Sequence, residues 1–142
     1  MLNLKSLDQS LVVDDMNETE NTITFNAHIK NKYVSCIECG EKTKSVHSIH
    51  NRHLQDLPIQ HKTVYIDIKT RHMHCRNCGK IFTEPMSFAE NTAHMTNRLK
   101  EYIIFVATPN SSIIATKQLK KEGIKIEKSS ICDFLKKTNN NR

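Results

Sequence analysis

Two short stretches of the chain are near copies: CIECG at residues 36–40 and CRNCGK at 75–80, which together hold four of the five cysteines. Two residues between cysteines let both sulfurs reach one ion from a single tight turn. The glycine that follows each pair lets the backbone turn without a Cβ clash and leaves amide N–H groups facing the thiolates. Two such turns brought together supply four sulfurs in a tetrahedron, the arrangement Zn²⁺ takes in a closed structural site. Cys36, Cys39, Cys75 and Cys78 are therefore the candidate metal ligands, with Zn²⁺ as the expected cofactor. A redox function needs one such pair rather than two matched ones. An iron–sulfur centre would use the same four thiolates.

A four-thiolate site has no open coordination position, so it is expected to hold structure and not to do chemistry. Its charge with Zn²⁺ is −2, which Lys42, Lys44, Arg71, Arg76 and Lys80 stand close enough in sequence to offset. The metal is expected to supply most of the module's folding energy, on the order of 10 kcal/mol.

The pairs must be brought together across 35 intervening residues, more than the roughly 15–20 of a compact ribbon. A hairpin or small sheet that returns the second knuckle to the first accounts for the gap. Ile23, Phe25, Ala27 and Ile29 alternate with polar residues, as a strand requires, and Val64, Ile66 and Ile68 form a second strand that runs into Cys75. Leu57-Pro58 excludes a helix through that point. Residues 2–13 carry Leu2, Leu4, Leu7 and Leu11 and read as an arm or short helix. Residues 14–21, DDMNETEN, read as a loop.

The histidines suggest a second site, because His47, His50 and His53 recur every three residues and His72 and His74 share a strand face. In a basic segment of this kind, exposed polar side chains are the expected outcome. His72 or His74 as a substituted zinc ligand is not required.

From about residue 95 the period changes from two to that of a helix. Thr96 can cap a helix containing Leu99, Ile103 and Val106, which Pro109 ends. Ser111 or Ser112 can cap a second, with Ile114, Ala115 and Leu119 inside and Gly123 at its end. A third can start near Ser129 with Ile131, Phe134 and Leu135. The layout is that of a helix-turn-helix, with Ala115 at the close crossing of the two helices. The final helix would present Lys128, Ser129, Ser130 and Asp133 to base edges, and Lys136 and Lys137 to phosphates. Cys132 reads as a small core or half-buried thiol.

Charge is uneven along the chain: net −4 over residues 1–29, +5 over 30–79 and +5 over 80–142, for +6 in all with pI near 9.1. A basic body points to a polyanionic partner, most simply double-stranded DNA. Hydrophobic content of 37% with no Trp is lean for one large core and suits small modules braced by metal. No stretch reaches the roughly 18 apolar residues of a membrane span, and the N-terminus lacks the pattern of a signal peptide. A cytoplasmic protein with reduced cysteines is expected.

The order of these features resembles the N-terminal region of ISL3-family transposases. The residues that carry the resemblance are the two Cys-x-x-Cys-Gly turns, Val46-His47-Ser48, Arg52, Leu54, Asp56-Leu57-Pro58, Arg71, Phe82, Glu84 and Thr96-Asn97-Arg98-Leu99. It spans roughly residues 20–137. It implies a zinc module and a helix-turn-helix that recognise the terminal inverted repeats of a mobile element, while a longer acidic catalytic domain cuts the DNA. Clustered carboxylates for two-metal chemistry are not seen here, so the expectation is a DNA-binding portion and not an enzyme. The expected class is α+β: an arm or short helix over 1–20, a small β-rich zinc-ribbon-like module over 21–90, and a three-helix helix-turn-helix module with a polar tail over 91–142. A homodimer, or association with an intact transposase, is the candidate protein partnership. The alternative function is a protein–protein adaptor that uses the zinc module as a scaffold.

Overall fold

The alternation of Val64, Ile66 and Ile68 with Tyr65, Asp67 and Lys69 sets one face of the central strand against a core, and the sheet grows from it. The computed structural model describes residues 10–90 and 93–140, with side chains as far as Lys137. Its strands are β1 (Leu11–Glu18), β2 (Thr22–Ile29), β3 (Val34–Ser35), β4 (Lys42–Thr43), β5 (Val46–Ile59), β6 (Lys62–His74) and β7 (Ile81–Thr83). Three helices follow: α1 (Asn97–Ala107), α2 (Ser112–Glu122) and α3 (Lys128–Asn140). The class is α+β, a β-rich part and then three helices.

The main sheet runs β1-β2-β6-β5, with β7 also paired to β6. β2 and β6 are parallel, and their register sets Ile23 beside Val64, Phe25 beside Ile66 and Ala27 beside Ile68. One face is thus apolar, and Leu11, Leu54, Phe88 and Ala89 complete its core. β5 and β6 form a long antiparallel hairpin, 14 and 13 residues. Its turn is Gln60-His61, with φ of 51° and 65°, both left-handed as a two-residue type I′ loop requires. Leu57 and Pro58 fall in a register shift between Asp56 and Ile59, where the missing N–H of proline breaks no ladder bond.

Residues 14–18, expected as a loop, are strand. β1 pairs antiparallel with β2 from Leu11 opposite Ile29 to Glu18 opposite Ile23, with an irregularity between Val13 and Asp15. As an edge strand exposed from Val13 onward, it needs no apolar alternation. Its backbone bonds hold it, and Asp14 and Asp15 reach across to His28 (3.0 Å) and Asn26 (3.1 Å). The arm or short helix expected over 1–20 is accordingly a strand from Leu11; Leu2, Leu4 and Leu7 lie outside the described residues.

The helices begin and end where their capping residues stand. The Thr96 side chain accepts from the Leu99 N–H and that of Ser111 from the Ile114 N–H. α2 ends at Gly123, which is left-handed at φ 98° and donates back to the Leu119 carbonyl. Leu99, Ile103, Ala107, Ala115, Leu119, Ile124, Ile126 and Ile131 make a second buried core.

The helical part is bolted to the hairpin near its turn. Gln55 donates to the Lys125 carbonyl and accepts from the Lys125 N–H, both at 2.8 Å. Thr63 Oγ1 donates to the Gly123 carbonyl at 2.8 Å. Asp56, fully buried, accepts from Thr96 Oγ1 at 2.7 Å and from Arg98 Nε and Nη2 at 2.9 and 2.5 Å.

Candidate metal centre

The two knuckles sit on different strand pairs. Cys36-x-x-Cys39 turns between β3 and β4, and Cys75-x-x-Cys78 between β6 and β7. Their backbones repeat one pattern. The Cys36 N–H donates to the Glu41 carbonyl (2.8 Å) and the Gly40 N–H to the Cys36 carbonyl (3.0 Å); the Cys75 N–H donates to the Lys80 carbonyl (2.8 Å) and the Gly79 N–H to the Cys75 carbonyl (2.9 Å). Gly40 and Gly79 stand at φ 78° and 80°, a conformation open to glycine and costly for other residues. This is why each pair needs its glycine.

β6 delivers Cys75 directly to the site. Thr43 Oγ1 donates to the His74 carbonyl at 2.7 Å and locks the two knuckle-bearing segments together. Val34, Met73 and Phe82 pack with Cys36 and Cys75 into a third small core. In consequence all four sulfurs lie within 4.8 Å of one another. Two pairs cross between the knuckles, Cys36 to Cys78 at 3.6 Å and Cys39 to Cys75 at 3.5 Å. A tetrahedron of thiolates about 2.3 Å from Zn²⁺ has sulfurs about 3.8 Å apart, so the cluster fits the ion. None of the five cysteines forms a disulfide.

Three of the thiols are shifted in acidity by their surroundings. Backbone N–H groups of Cys39 and Glu38 hold Cys36 below the ordinary thiol value. The Asn77 side-chain amide, helped by the Glu41 N–H, lowers Cys39 to about 6. At Cys78 the Lys80 N–H acts downward, but desolvation and the neighbouring sulfurs of Cys36, Cys75 and Cys39 outweigh it and push the thiol up to about 12. Because the cysteines bind zinc as thiolates, acid opposes loading.

The basic residues near the site divide. Lys42, Lys44 and Arg76 are exposed, and Lys80 lies 3.8 Å from Glu38. Arg71, expected to offset thiolate charge, instead forms an ion pair with the buried Glu84 and donates to the Asn31 carbonyl at 2.5 Å. Among the described residues the four cysteines are the one cluster of three or more metal-ligating side chains. The histidines do not converge: His50 packs on His72 at 4.3 Å between ring centroids, and His53 stacks on Tyr65 at 4.4 Å and pairs with Asp67.

The other candidate residues lie at the far end of the hairpin. Lys128, Ser129, Asp133, Lys136 and Lys137 are exposed on α3, and Ser130 is half-buried. The structure brings these six onto one helix and keeps them apart from the cysteines. Cys132 is half-buried, 3.4 Å from Ser112 Oγ. Gln55 and Thr63, which fix the helices to the hairpin, carried no signal in the sequence, because a buried Gln or Thr in a strand reads like an exposed one. Asp56 was visible only within the residues of the resemblance.

A four-sulfur site closed by two matched knuckles, each set between paired strands, defines a zinc ribbon. Residues 32–78 match the family model described as the zinc-finger of transposase IS204/IS1001/IS1096/IS1165. This segment is thus similar to that transposase zinc-finger, and the resemblance to ISL3-family transposases drawn from the sequence holds over residues 32–78. Comparisons with curated proteins and with solved structures gave no match. No helix among the described residues is long and apolar enough to cross a membrane.

Proposed function

We propose that the chain is a zinc-dependent DNA-binding protein, equivalent to the inverted-repeat-binding part of an ISL3-family transposase. Cys36, Cys39, Cys75 and Cys78 ligate one Zn²⁺. α2, the turn 123–127 and α3 form a helix-turn-helix in which α3 enters the major groove of double-stranded DNA. The working division is a zinc-binding β module over 21–90 and a helix-turn-helix module over 91–142.

The observation that carries this reading is the pairing of an ISL3-type ribbon with three helices whose last one leaves Lys128, Ser129, Asp133, Lys136 and Lys137 exposed. Ala115 is fully buried, as the close crossing of such helices requires. Lysines on an exposed helix face suit phosphate and base contacts.

The test is fluorescence anisotropy of duplex DNA with the zinc-loaded chain and with Lys128→Ala/Ser130→Ala. Binding weakened several-fold in the variant, with zinc content unchanged, supports the assignment. Unchanged affinity removes α3 from the contact.

One observation favours an adaptor instead. Phe105, Ile113 and Ile114 are 75%, 52% and 57% exposed at the α1–α2 corner, an apolar patch of the kind that docks a protein. An adaptor has no salt-sensitive DNA affinity to lose.

A further inference from the structure

The ribbon and the helices occupy opposite ends of one stiff hairpin. Near its turn, Gln55 and Thr63 hold the α2–α3 turn through Lys125 and Gly123, and α3 begins three residues beyond Lys125. At the other end His74 leads into the second knuckle and is tied to β4 by Thr43. From Thr63 to His74 the strand takes eleven residue steps, roughly 36 Å at about 3.3 Å each. One turn of B-form DNA is about 34 Å.

Charge is distributed to match. At the ribbon end Lys42, Lys44 and Arg76 are exposed, and none lies within ion-pair distance of a carboxylate among the described residues. At the helical end Lys128, Lys136 and Lys137 are exposed. β1, β2 and their connection carry Asp14, Asp15, Glu18 and Glu20 and no Lys or Arg, but β2 runs beside residues 63–69 on the turn side of β6, where Glu18 is paired with Lys62, and the hairpin itself carries Arg52, Lys62, Lys69 and Arg71 against Asp56 and Asp67. Both ends of the hairpin therefore present cations that attract phosphate.

We propose that the zinc ribbon and α3 are two separate contact points on a single B-form duplex, held about one helical turn apart by the β5–β6 hairpin. This rests on the DNA-binding reading above and adds the ribbon surface Lys42, Lys44 and Arg76 as a second site. The spacing is fixed because each module is anchored to the hairpin by hydrogen bonds, so engagement of one end presents the other to the same duplex at high effective concentration.

The experiment compares random-sequence duplexes of about 8 and about 24 bp, the second long enough for two helical turns. Anisotropy is read over a series of salt concentrations for the full zinc-loaded chain and for Lys42→Ala/Lys44→Ala/Arg76→Ala. After allowance for the registers available on the longer duplex, the wild type binds it roughly a hundredfold more tightly, with a log–log salt slope steeper by about 2–3. The variant keeps one zinc per chain and its affinity for the short duplex, and it loses both the extra affinity and the extra slope on the long one. Equal slopes for the wild type on both lengths overturn the proposal. So does a variant that binds the long duplex like the wild type, or one weakened equally on both. No binding of the wild type to either duplex overturns the DNA-binding reading itself.

Discussion

Asp56 does more for the assembly than any other single carboxylate. It is fully buried and receives Thr96 and two nitrogens of Arg98, so one side chain caps the start of α1 from below and joins helices to sheet. Asp56→Ala removes the carboxylate that receives a largely buried guanidinium and a buried hydroxyl, a loss of about 3–5 kcal/mol in urea denaturation; a loss below about 1 kcal/mol would mean that the helices are held by packing alone. Tyr102 gives a pH signature. Its OH donates to Glu122 at 2.6 Å, and this bond, with burial and the carboxylate's charge, raises its pKa from 10 to about 12. A raised folded-state pKa stabilises fully below pH 10 and less as pH climbs through about 12. Tyr102→Phe is therefore less stable than wild type at pH 8, and the gap closes by pH 11–12. Parallel stability curves would contradict the pairing. At this scale the cysteines were legible because their spacing is itself the geometry. Gln55, Asp56 and Thr63 were not, because burial of a polar side chain depends on what folds over it.

Elements were legible in proportion to how much one face is buried. β2 and β6 alternate because each has one face on the core, and the helices declare themselves through Thr96, Ser111 and Gly123. β1 was missed because it is an exposed edge. β5 was hidden because Leu54, Gln55 and Asp56 are buried in succession, Leu54 by the sheet core and Gln55 and Asp56 by the helical part. The parallel pairing of β2 with β6 joins segments some 40 residues apart, and nothing in either strand marks its partner. Gly123 is where element and assembly meet. It needs φ 98°, and a Cβ there would sit 2.5 Å from the His61 carbonyl oxygen at the hairpin turn. Gly123→Ala should cost about 2 kcal/mol or more and loosen the helices from the hairpin, seen as faster amide exchange in α2 and α3. Wild-type exchange would show that the two parts do not rely on this contact.

At the scale of the whole molecule, the described residues form three cores: the sheet, the helical part, and a small one around the ribbon that holds Cys36 and Cys75. The expectation that metal supplies most of the folding energy of residues 21–90 narrows accordingly, since the sheet core contains no cysteine. Chelation, or Cys78→Ser, should expose residues 30–46 and 75–83 to protease while helical circular dichroism persists; complete unfolding would show that the cores are not separable. The charge arrangement was partly legible, as an acidic first segment and a basic remainder. Its placement at the two ends of a hairpin was not, because it depends on the pairing of β5 with β6. The central claim is that a zinc-braced chain grips duplex DNA through basic side chains. A salt titration of duplex binding, made on protein with measured zinc content and repeated after chelation, tests it most directly. The account predicts one zinc per chain, affinity that falls steeply and linearly in log–log form with salt, and weaker binding once the metal is removed. Zinc-loaded protein with no salt-dependent affinity for duplex DNA would contradict it.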